Sequence, residues 1–417
     1  MGQIADVLAI DFGTSNSAAG INVGGKAQIL ELEQGRQTLP TALFFDFEEK
    51  EIAYGSQAEQ ALFEGAWGRY MRALKSLLGT PLIRESSVFL GKRMSYIEIV
   101  ARFLAEMKAR AEAQTDRSFT RALSGRPVRF HGDGKRDAQA LEDLRECYGL
   151  AGFTDVYFMN EPEAAARAQT QVLQMGDLGL VIDIGGGTSD FTLFRSAKGG
   201  AIDIVHSEGL RLGGTDFDRL LSFEHVMPLL GRGSQIRHAF GAETHLAPNA
   251  IFADLATWQK IPFLYAPDTR RAAKDLLQYA VEPEKLARLH RVLEDERGHD
   301  LAFAVEAGKI ALNTKPLASV DVNLDALQAK FTTPLYALAL AHTLQPSAHQ
   351  IAEMAQHCTQ QAGLASKDVT HLIFVGGSSL MQVVQDAVTR TFPKAQSHHG
   401  AALTGIIEGL ALASADF

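Results

Sequence analysis

Two acid-glycine-hydroxyl stretches hold the residues of this sequence best suited to chemistry. In Val181–Phe194 (VIDIGGGTSDFTLF) a single acid, Asp183, stands in an apolar run. The residues after it that could contact an anion are Gly185, Gly186, Gly187, Thr188 and Asp190. Glycines tolerate positive φ and lack a Cβ, so their N–H groups can come close to a ligand. The stretch therefore predicts a β-hairpin whose turn binds an anionic group.

The common phosphate-binding motifs do not explain this hairpin. The run Ser189–Phe194 predicts a second strand, where the dinucleotide fingerprint needs a helix. The loop G-x-x-x-x-G-K-[ST] is absent from the sequence. The remaining alternative is an ordinary glycine-rich hairpin with a stray acid.

The same pattern occurs a second time, near the start of the chain. Ile10–Asn16 (IDFGTSN) repeats Ile182–Asp190 (IDIGGGTSD) with two glycines fewer, so that Asp11 matches Asp183. Its candidate phosphate contacts are Gly13, Thr14, Ser15 and Asn16. Two such hairpins could close on one polyphosphate from opposite sides. The carboxylates of Asp11 and Asp183 would then hold a hydrated Mg²⁺.

The composition is that of an ordinary globular protein. The 417 residues suggest two or three domains, and 46% hydrophobic residues provide ample core. The net charge of −9, without a dense Lys/Arg run, argues against nucleic acid as a partner. No apolar run approaches the ~20 residues of a membrane span. The two cysteines, Cys147 and Cys358, exclude a disulfide framework and fit a reducing compartment. Together with the absence of a long apolar run, this leads us to expect a cytoplasmic protein that binds no membrane.

Periodicity and turn residues predict alternating strands and helices along the whole chain. The predicted strands include Val7–Ile10, Ser17–Val23, Pro127–His131, Ala201–Ser207 and His371–Val375. The predicted helices include Tyr70–Leu78, Ile97–Arg121, Asp137–Tyr148, Asp300–Asn313 and Ser347–Ala362. Residues from about Gly231 to Thr269 are rich in His, Pro and Gly and are predicted to be irregular.

Five ordered motifs together resemble the actin-like ATPase superfamily, and within it the nucleotide-binding domain of DnaK-type heat-shock chaperones. They are the phosphate hairpins Asp11–Ser15 and Asp183–Asp190, the connecting helices Asn160–Ala166 and Thr404–Leu412, and the adenosine motif Phe374–Ser379. Details such as Gly125-Arg126-Pro127 are most similar to the YegD-like chaperones. The resemblance runs over essentially the whole chain and implies an actin-like ATPase fold of the α/β class. Two ribonuclease-H-like lobes with insertions would enclose a nucleotide in a central cleft.

The resemblance also implies a division of the chain. Lobe I would be residues 1–175, with an insertion at about 40–121, and lobe II residues 176–417, with an insertion at about 213–345. Because the sequence stops at Phe417, directly after the closing helix, we expect no peptide-binding domain.

The resemblance assigns roles to individual residues. Asp11, Asp183, Glu161 and Asp190 would hold the magnesium shell and orient water, and Lys75 would neutralise the γ-phosphate, with Thr188 beside it. The further nucleotide contacts would be Gly213, Gly214, Glu306, Lys309, Asn313, Gly376, Gly377, Ser378 and Leu380. Without the resemblance, a residue such as Glu161 is more often an N-terminal helix acid favoured by the dipole, and a lone Lys such as Lys75 is usually a solvated helix residue. Ile310 and Leu380 stand where the chaperones have two arginines that stack on adenine.

The functional expectation is an ATP-binding, slowly ATP-hydrolysing, chaperone-like protein that uses ATP/ADP and Mg²⁺, with K⁺ as a further candidate ion. Its partners would be the nucleotide and an unidentified protein client or regulator. The alternatives are a small-molecule kinase of the same superfamily and a nucleotide-dependent scaffold. A kinase would need a catalytic Asp aimed at a substrate hydroxyl. The adjacent His398 and His399 are predicted to be a loop pair rather than a metal site.

Overall fold

The structure, a computed structural model, describes residues 7–169, 173–197, 202–238, 243–315, 317–399 and 403–417. The chain divides into two compact units. Unit 1 comprises Met1–Gly214 and His349–Phe417, and unit 2 comprises Thr215–Ala348. Unit 2 spans nearly the same residues as the insertion expected in lobe II, while the boundary between the lobes stays a prediction.

The elements alternate between strands and helices, as the sequence predicts. The strands are β1 (Val7–Asp11), β2 (Asn16–Val23), β3 (Lys26–Ile29), β4 (Leu39–Pro40), β5 (Ala42–Asp46), β6 (Ile52–Tyr54), β7 (Gly68–Arg72), β8 (Ser86–Phe89), β9 (Lys92–Ser95), β10 (Arg121–Arg126), β11 (Asp155–Asn160), β12 (Leu178–Ile184), β13 (Ser189–Ser196), β14 (Ile202–Leu210), β15 (Gln235–Arg237), β16 (Thr244–Leu246), β17 (Ser319–Asn323), β18 (Thr332–Tyr336), β19 (His371–Val375) and β20 (Gln396–His398). The helices are α1 (Ser56–Phe63), α2 (Tyr96–Thr115), α3 (Gly134–Leu150), α4 (Glu161–Ala168), α5 (Gly214–Leu221), α6 (Asn249–Leu255), α7 (Pro267–Gln278), α8 (Pro283–Glu294), α9 (Gly298–Thr314), α10 (Ala337–Gln361), α11 (Gln382–Thr391) and α12 (Gly405–Ala413). Within these described elements, no helix is long and apolar enough to cross a membrane.

Two sheets of unit 1 share one topology. The first has the order β11-β10-β1-β2-β3, in which β1, β2 and β3 are antiparallel and β10 and β11 continue in parallel to β1. The second has the order β14-β13-β12-β19-β20, with the same antiparallel and parallel pairings about β12. The repeat in the sequence is therefore also a repeat of sheet topology.

Each repeated acid lies near the carboxyl end of the central strand of its sheet. Asp11 is the last residue of β1, after a run of four fully buried residues. Asp183 is the next-to-last residue of β12 and lies opposite Asp190 on β13 and Val375 on β19. Ligands of open α/β sheets bind beyond the carboxyl ends of parallel strands. Each acid therefore lies at the edge of its sheet where such ligands bind.

Helices cover both faces of the first sheet. Helix α2 begins with a capping box formed by Ser95 and Glu98, which satisfies backbone N–H groups at its first turn. The predicted apolar stripe of α2 is buried and consists of Ile97, Val100, Leu104, Met107 and Ala111. On the other face, α12 crosses α4 so closely that a Cβ built on Gly409 would lie 2.9 Å from Cα of Ala164. Glycine is therefore required at this crossing.

Three element predictions are wrong in unit 1. The predicted helix Tyr70–Leu78 is instead β7 followed by a short 3₁₀ turn, Leu74–Leu77, because β7 pairs with β5 and buries Tyr70. The predicted strand Pro127–His131 lies beyond the true strand, β10, which ends at Arg126. The predicted helix Ile97–Arg121 ends at Thr115, where Asp116 takes a left-handed φ of 52° and ends the helix.

The prediction of an irregular stretch from Gly231 to Thr269 is also wrong. Within its described part the stretch contains β15, β16, α6 and a 3₁₀ segment, Trp258–Tyr265. Trp258 and Ile261 are buried together with Ala302 of α9, which supplies the apolar contact that orders this segment. Helix α10 begins at Ala337, well before the predicted Ser347. The predicted strand Ala201–Ser207 is observed as β14, although its first residue lies outside the described residues.

Candidate active site

Lys75 and Glu161 form a buried ion pair at the end of the first sheet. The Nζ atom of Lys75 lies 2.6 Å from Oε1 of Glu161, and the side chains are 10% and 8% exposed. Lys75 is carried by the 3₁₀ turn Leu74–Leu77, which follows Ala73 in a left-handed conformation at φ 59°. Both residues were predicted for the site, and the structure brings them together.

Glu161 reaches this position from the first turn of α4, directly after β11. Asn160 has an extended backbone, and Pro162 occupies the first turn of the helix, where its missing N–H costs nothing. Gly125 on neighbouring β10 leaves room for the acid, because a Cβ there would lie 3.2 Å from Cγ of Glu161. Glycine at position 125 thus permits the close approach.

Asp183 and Asp190 lie opposite each other at the end of the second sheet, and both are almost fully buried. Oδ1 of Asp190 accepts a hydrogen bond of 2.8 Å from the backbone N–H of Val128, and its carboxylate also accepts one from Thr188. Gly376, at φ 80°, packs against Asp183, since a Cβ there would lie 2.8 Å from Oδ1 of Asp183. The predicted adenosine motif thus contacts Asp183 through Gly376.

The carboxylates of this site repel one another. Desolvation is the largest cause that raises the pKa of Asp11 to about 7, and repulsion from Glu161 is the second. The same two causes raise the pKa of Asp190 to about 7. Desolvation and the neighbouring carboxylates raise the pKa of Asp183 well above its usual range. Burial disfavours the Lys75 ammonium, but Glu161 and Asp11 outweigh burial and raise the pKa of Lys75. One ammonium therefore faces four carboxyl groups.

The turns of the two predicted hairpins meet. A Cβ built on Gly186 would lie 2.7 Å from Oγ of Ser15 and 3.0 Å from Cβ of Thr14. Gly187 also lies beside Thr14, whose Oγ1 would be 3.7 Å from a Cβ at that position. The glycines of the second hairpin thus allow its backbone to approach the hydroxyls of the first.

Each hairpin turn is held by hydrogen bonds of its own. In the second, the N–H of Gly185 donates to O of Thr188 at 3.0 Å, and the N–H of Gly214 donates to O of Gly185 at 2.9 Å. Gly213 packs against the Gly186–Gly187 peptide, with 2.7 Å between a built Cβ and N of Gly187. Gly214 also lies against the Ser378 hydroxyl. Four predicted nucleotide contacts, Gly185, Gly213, Gly214 and Ser378, are therefore neighbours.

The first hairpin turn is held differently. The N–H of Gly13 donates to Oγ of Ser17 at 3.3 Å, and the N–H of Thr41 donates to O of Ser15 at 2.9 Å. Asn16 is exposed and begins β2, where it pairs with Pro40. Its side chain is therefore accessible beside the turn.

The predicted contacts to the nucleoside are distributed over both units. In unit 1, Gly377 and Leu380 belong to a 3₁₀ turn that directly follows β19 and Gly376. In unit 2, the predicted contacts on α9 are Glu306, Lys309 and Asn313. Nζ of Lys309 lies 2.7 Å from Oδ1 of Asp218, and both side chains are less than a tenth exposed. Lys309 is thus already paired within unit 2.

Sequence reasoning missed two residues that hold the turn carrying Lys75. Nε2 of the buried His131 lies 2.6 Å from the carbonyl oxygen of Leu78. Oδ2 of the fully buried Asp143 accepts a hydrogen bond of 2.9 Å from the N–H of Gly79. Both come from segments far along the chain, and the sequence pattern around them contains no signal for this contact.

Among the described residues, no three His, Cys, Asp or Glu side chains are arranged to bind a metal ion directly. His398 lies in β20 rather than in a loop, and its Nε2 is 2.9 Å from Nδ1 of His371. His399 instead stacks on Phe374 with ring centroids 5.0 Å apart. The two adjacent histidines therefore contact different partners.

A family model provides an independent comparison. The model described as Hsp70 protein matches residues 79–238. This segment is similar to Hsp70 proteins. It contains Glu161, Asp183 and Asp190 and ends in unit 2, while Asp11 and Lys75 lie outside it. Together with the α/β architecture, the match confirms the predicted actin-like ATPase fold class and supports a chaperone-like, nucleotide-binding ATPase domain.

Proposed function

We propose that this protein binds Mg·ATP and hydrolyses it slowly, as a chaperone-like ATPase. The observation that carries the proposal is the meeting of the two hairpin turns, Gly186 against Thr14 and Ser15, beside a cluster of buried acids. Apposed turns of this kind offer backbone N–H groups and hydroxyls to a polyphosphate. The Hsp70 match supports the same chemistry.

The charge balance of the cluster fits a bound cation. Asp11, Asp183, Asp190 and Glu161 face one ammonium, and desolvation raises the pKa of the three aspartates. The described residues contain no three side chains arranged to bind a metal ion directly. The carboxylates therefore fit a hydrated ion, from whose water molecules they would accept hydrogen bonds. Mg²⁺, when bound, would neutralise phosphate charge there. K⁺ is the further candidate ion.

The remaining residues act on the phosphate and the attacking water. Thr14 and Thr188 would donate hydroxyl and backbone hydrogen bonds to phosphate oxygens. Glu161 and Asp190 would orient the attacking water by accepting hydrogen bonds from it, and Lys75 would stabilise charge on the γ-phosphate. We expect slow turnover because the Lys75 ammonium is already held by Glu161 at 2.6 Å, and this ion pair must share its charge with the phosphate.

We also propose a protein client or regulator, for which the stretch from Gly231 to Thr269 is the candidate contact surface. Leu246 and Phe263 in this stretch are 60% and 51% exposed. Large exposed apolar side chains are frequent at protein interfaces. The free, buried Cys147 and Cys358 fit a reducing compartment such as the cytoplasm.

Calorimetric titration with ATP and ADP, with and without Mg²⁺, followed by single-turnover hydrolysis, tests the proposal. We expect Mg²⁺-dependent ATP binding and hydrolysis in the wild type and strong loss of both in Asp11→Asn. Asp321→Asn on β17 is the control, since this exposed aspartate lies in unit 2. Absence of ATP binding would refute the proposal.

The kinase alternative makes a different prediction in the same assay. A sugar or polyol that accelerates ADP release and becomes phosphorylated would favour a small-molecule kinase. A rate of ATP hydrolysis that does not change when a sugar or polyol is added would favour the chaperone-like ATPase.

A further inference from the structure

His131 lies between two partners that fix its protonation. Its Nε2 is 2.6 Å from the carbonyl oxygen of Leu78, which can only accept a hydrogen bond. Its Nδ1 is 3.0 Å from NH1 of Arg211, which can only donate. Nε2 must therefore carry the proton and Nδ1 the lone pair, so the imidazole is neutral and its ring orientation is set from both sides.

The Leu78 end of this chain of hydrogen bonds leads to Lys75. The N–H of Leu78 donates to the carbonyl oxygen of Lys75, at 3.3 Å, within the 3₁₀ turn. The next residue, Gly79, has φ 72° and packs against the imidazole, since a Cβ there would lie 2.9 Å from Cδ2 of His131. The imidazole thus contacts the end of the turn that carries Lys75.

The Arg211 end leads to the second hairpin. Arg211 directly follows β14, in which Gly209 lies opposite Asp190. Two residues after Arg211, Gly213 packs against the Gly186–Gly187 turn. Arg211 therefore stands between the strand beside one site acid and the glycine that supports the predicted phosphate turn.

We propose that Arg211 and His131 are positioning residues that set Lys75 relative to the second phosphate hairpin. The inference rests on the proposed ATP hydrolysis and deepens it. The Arg211–His131–Leu78 hydrogen bonds join segments that are distant in the sequence, so a displacement of the second hairpin is transmitted to the Lys75 turn. A catalytic group displaced by about 1 Å can lose as much as 100-fold in rate, so such a link matters for turnover.

The decisive variants break the link without touching Lys75. Arg211→Met removes the donor, and His131→Phe removes both ring nitrogens and with them the hydrogen bonds to Leu78 and Arg211. We expect each to slow single-turnover hydrolysis by about tenfold while the Kd for ATP changes by less than about twofold. The double variant should lose no more than either single variant, because the two residues act as one unit. Arg211→Lys, which keeps a donor, should restore part of the rate.

Arg129→Met is the matched control. Arg129 lies two residues before His131 in the chain. Its NH2 atom lies 3.6 Å from Oε2 of Glu208 on β14, so its ion pair includes neither His131 nor Leu78. Its hydrolysis rate should equal that of the wild type. A control that slows as much as Arg211→Met, or additive losses in the double variant, would overturn the inference.

Hydrogen exchange separates this inference from the proposed function. In Arg211→Met, amides of residues 74–79 should exchange faster than in the wild type, measured by mass spectrometry without nucleotide. Unchanged exchange there would contradict the link whether or not the protein hydrolyses ATP. A wild type without turnover would refute the proposed function alone.

Discussion

Nζ of Lys75 and Oε1 of Glu161 are 2.6 Å apart, and about nine-tenths of each side chain is buried. The pair joins a 3₁₀ turn after β7 to the first turn of α4, two segments that lie far apart in the sequence. A buried ion pair is costly to form, and its loss leaves the partner charge uncompensated. Its location beside three aspartates with raised pKa indicates a site arranged for charge rather than for stability.

The first prediction concerns Lys75. Lys75→Met should lower single-turnover hydrolysis by about 100-fold or more, because a preorganised cation opposite the γ-phosphate is lost. ATP affinity should change by less than about threefold, since the hairpin turns remain. Lys108→Met is the control, because Lys108 is also ion-paired, to Glu112 at 2.7 Å, but lies in α2. Equal rates in the two variants would exclude Lys75 from the reaction.

The second prediction concerns pH. The folded-state pKa of Asp11 and Asp190 is about 7, against an ordinary value of 3.8, so the folded protein keeps protons that the unfolded chain has released. The contribution of these groups to the free energy of unfolding therefore falls as the pH rises from about 4 to about 7. Asp11→Asn removes one such group, so its Tm should exceed that of the wild type by more at pH 8 than at pH 5.

Thermal unfolding without nucleotide or Mg²⁺ measures this difference. Asp321→Asn should show no such pH-dependent gain. Mg·ATP should raise the Tm of the wild type at pH 8 and should have little effect on Asp11→Asn. A gain in Tm that is the same at both pH values would contradict the assigned pKa shift.

The third prediction compares two glycines with similar left-handed φ values, 80° at Gly376 and 72° at Gly65. A Cβ at Gly65 would meet no atom within 4 Å, whereas a Cβ at Gly376 would press on Asp183 and on the backbone of Ile184. Gly65→Ala should cost only the backbone strain, about 1 kcal/mol. Gly376→Ala should cost about 2–4 kcal/mol through the added overlap and should also weaken ATP binding. Urea unfolding and calorimetry give both quantities, and equal costs would contradict the tight packing at Gly376.

The fourth prediction concerns the base. The resemblance assigns Ile310 and Leu380 to positions that hold adenine-stacking arginines in the chaperones, and Ile310 is 51% exposed. Loss of cation–π stacking should leave the preference for ATP over GTP below about 100-fold, or about 2.7 kcal/mol. Leu380→Arg should tighten ADP binding, while Leu338→Arg, at an 85% exposed position in unit 2, should not. A steeper preference in the wild type would disprove the shallow discrimination.

The local sequence pattern was sufficient to predict the two hairpins and the buried face of α2. The duplicated stretches around Asp11 and Asp183 were predicted as hairpins, and they are hairpins, because glycine position and apolar runs act over a few residues. The buried stripe of α2 was likewise evident from its helical spacing. The predicted approach of the two turns followed from their repetition alone.

Tertiary structure decided the rest. Residues 70–78 have helical spacing, yet Tyr70 lies in a strand because pairing with β5, a segment before it in the chain, outweighs local preference. The contacts of Lys75 with Glu161 and of His131 with Leu78 and Arg211 likewise join residues from separate segments. A sequence records periodicity along the chain but not which distant groups meet. Desolvation and charge repulsion, which raise the aspartate pKa values here, arise only once those groups are packed together.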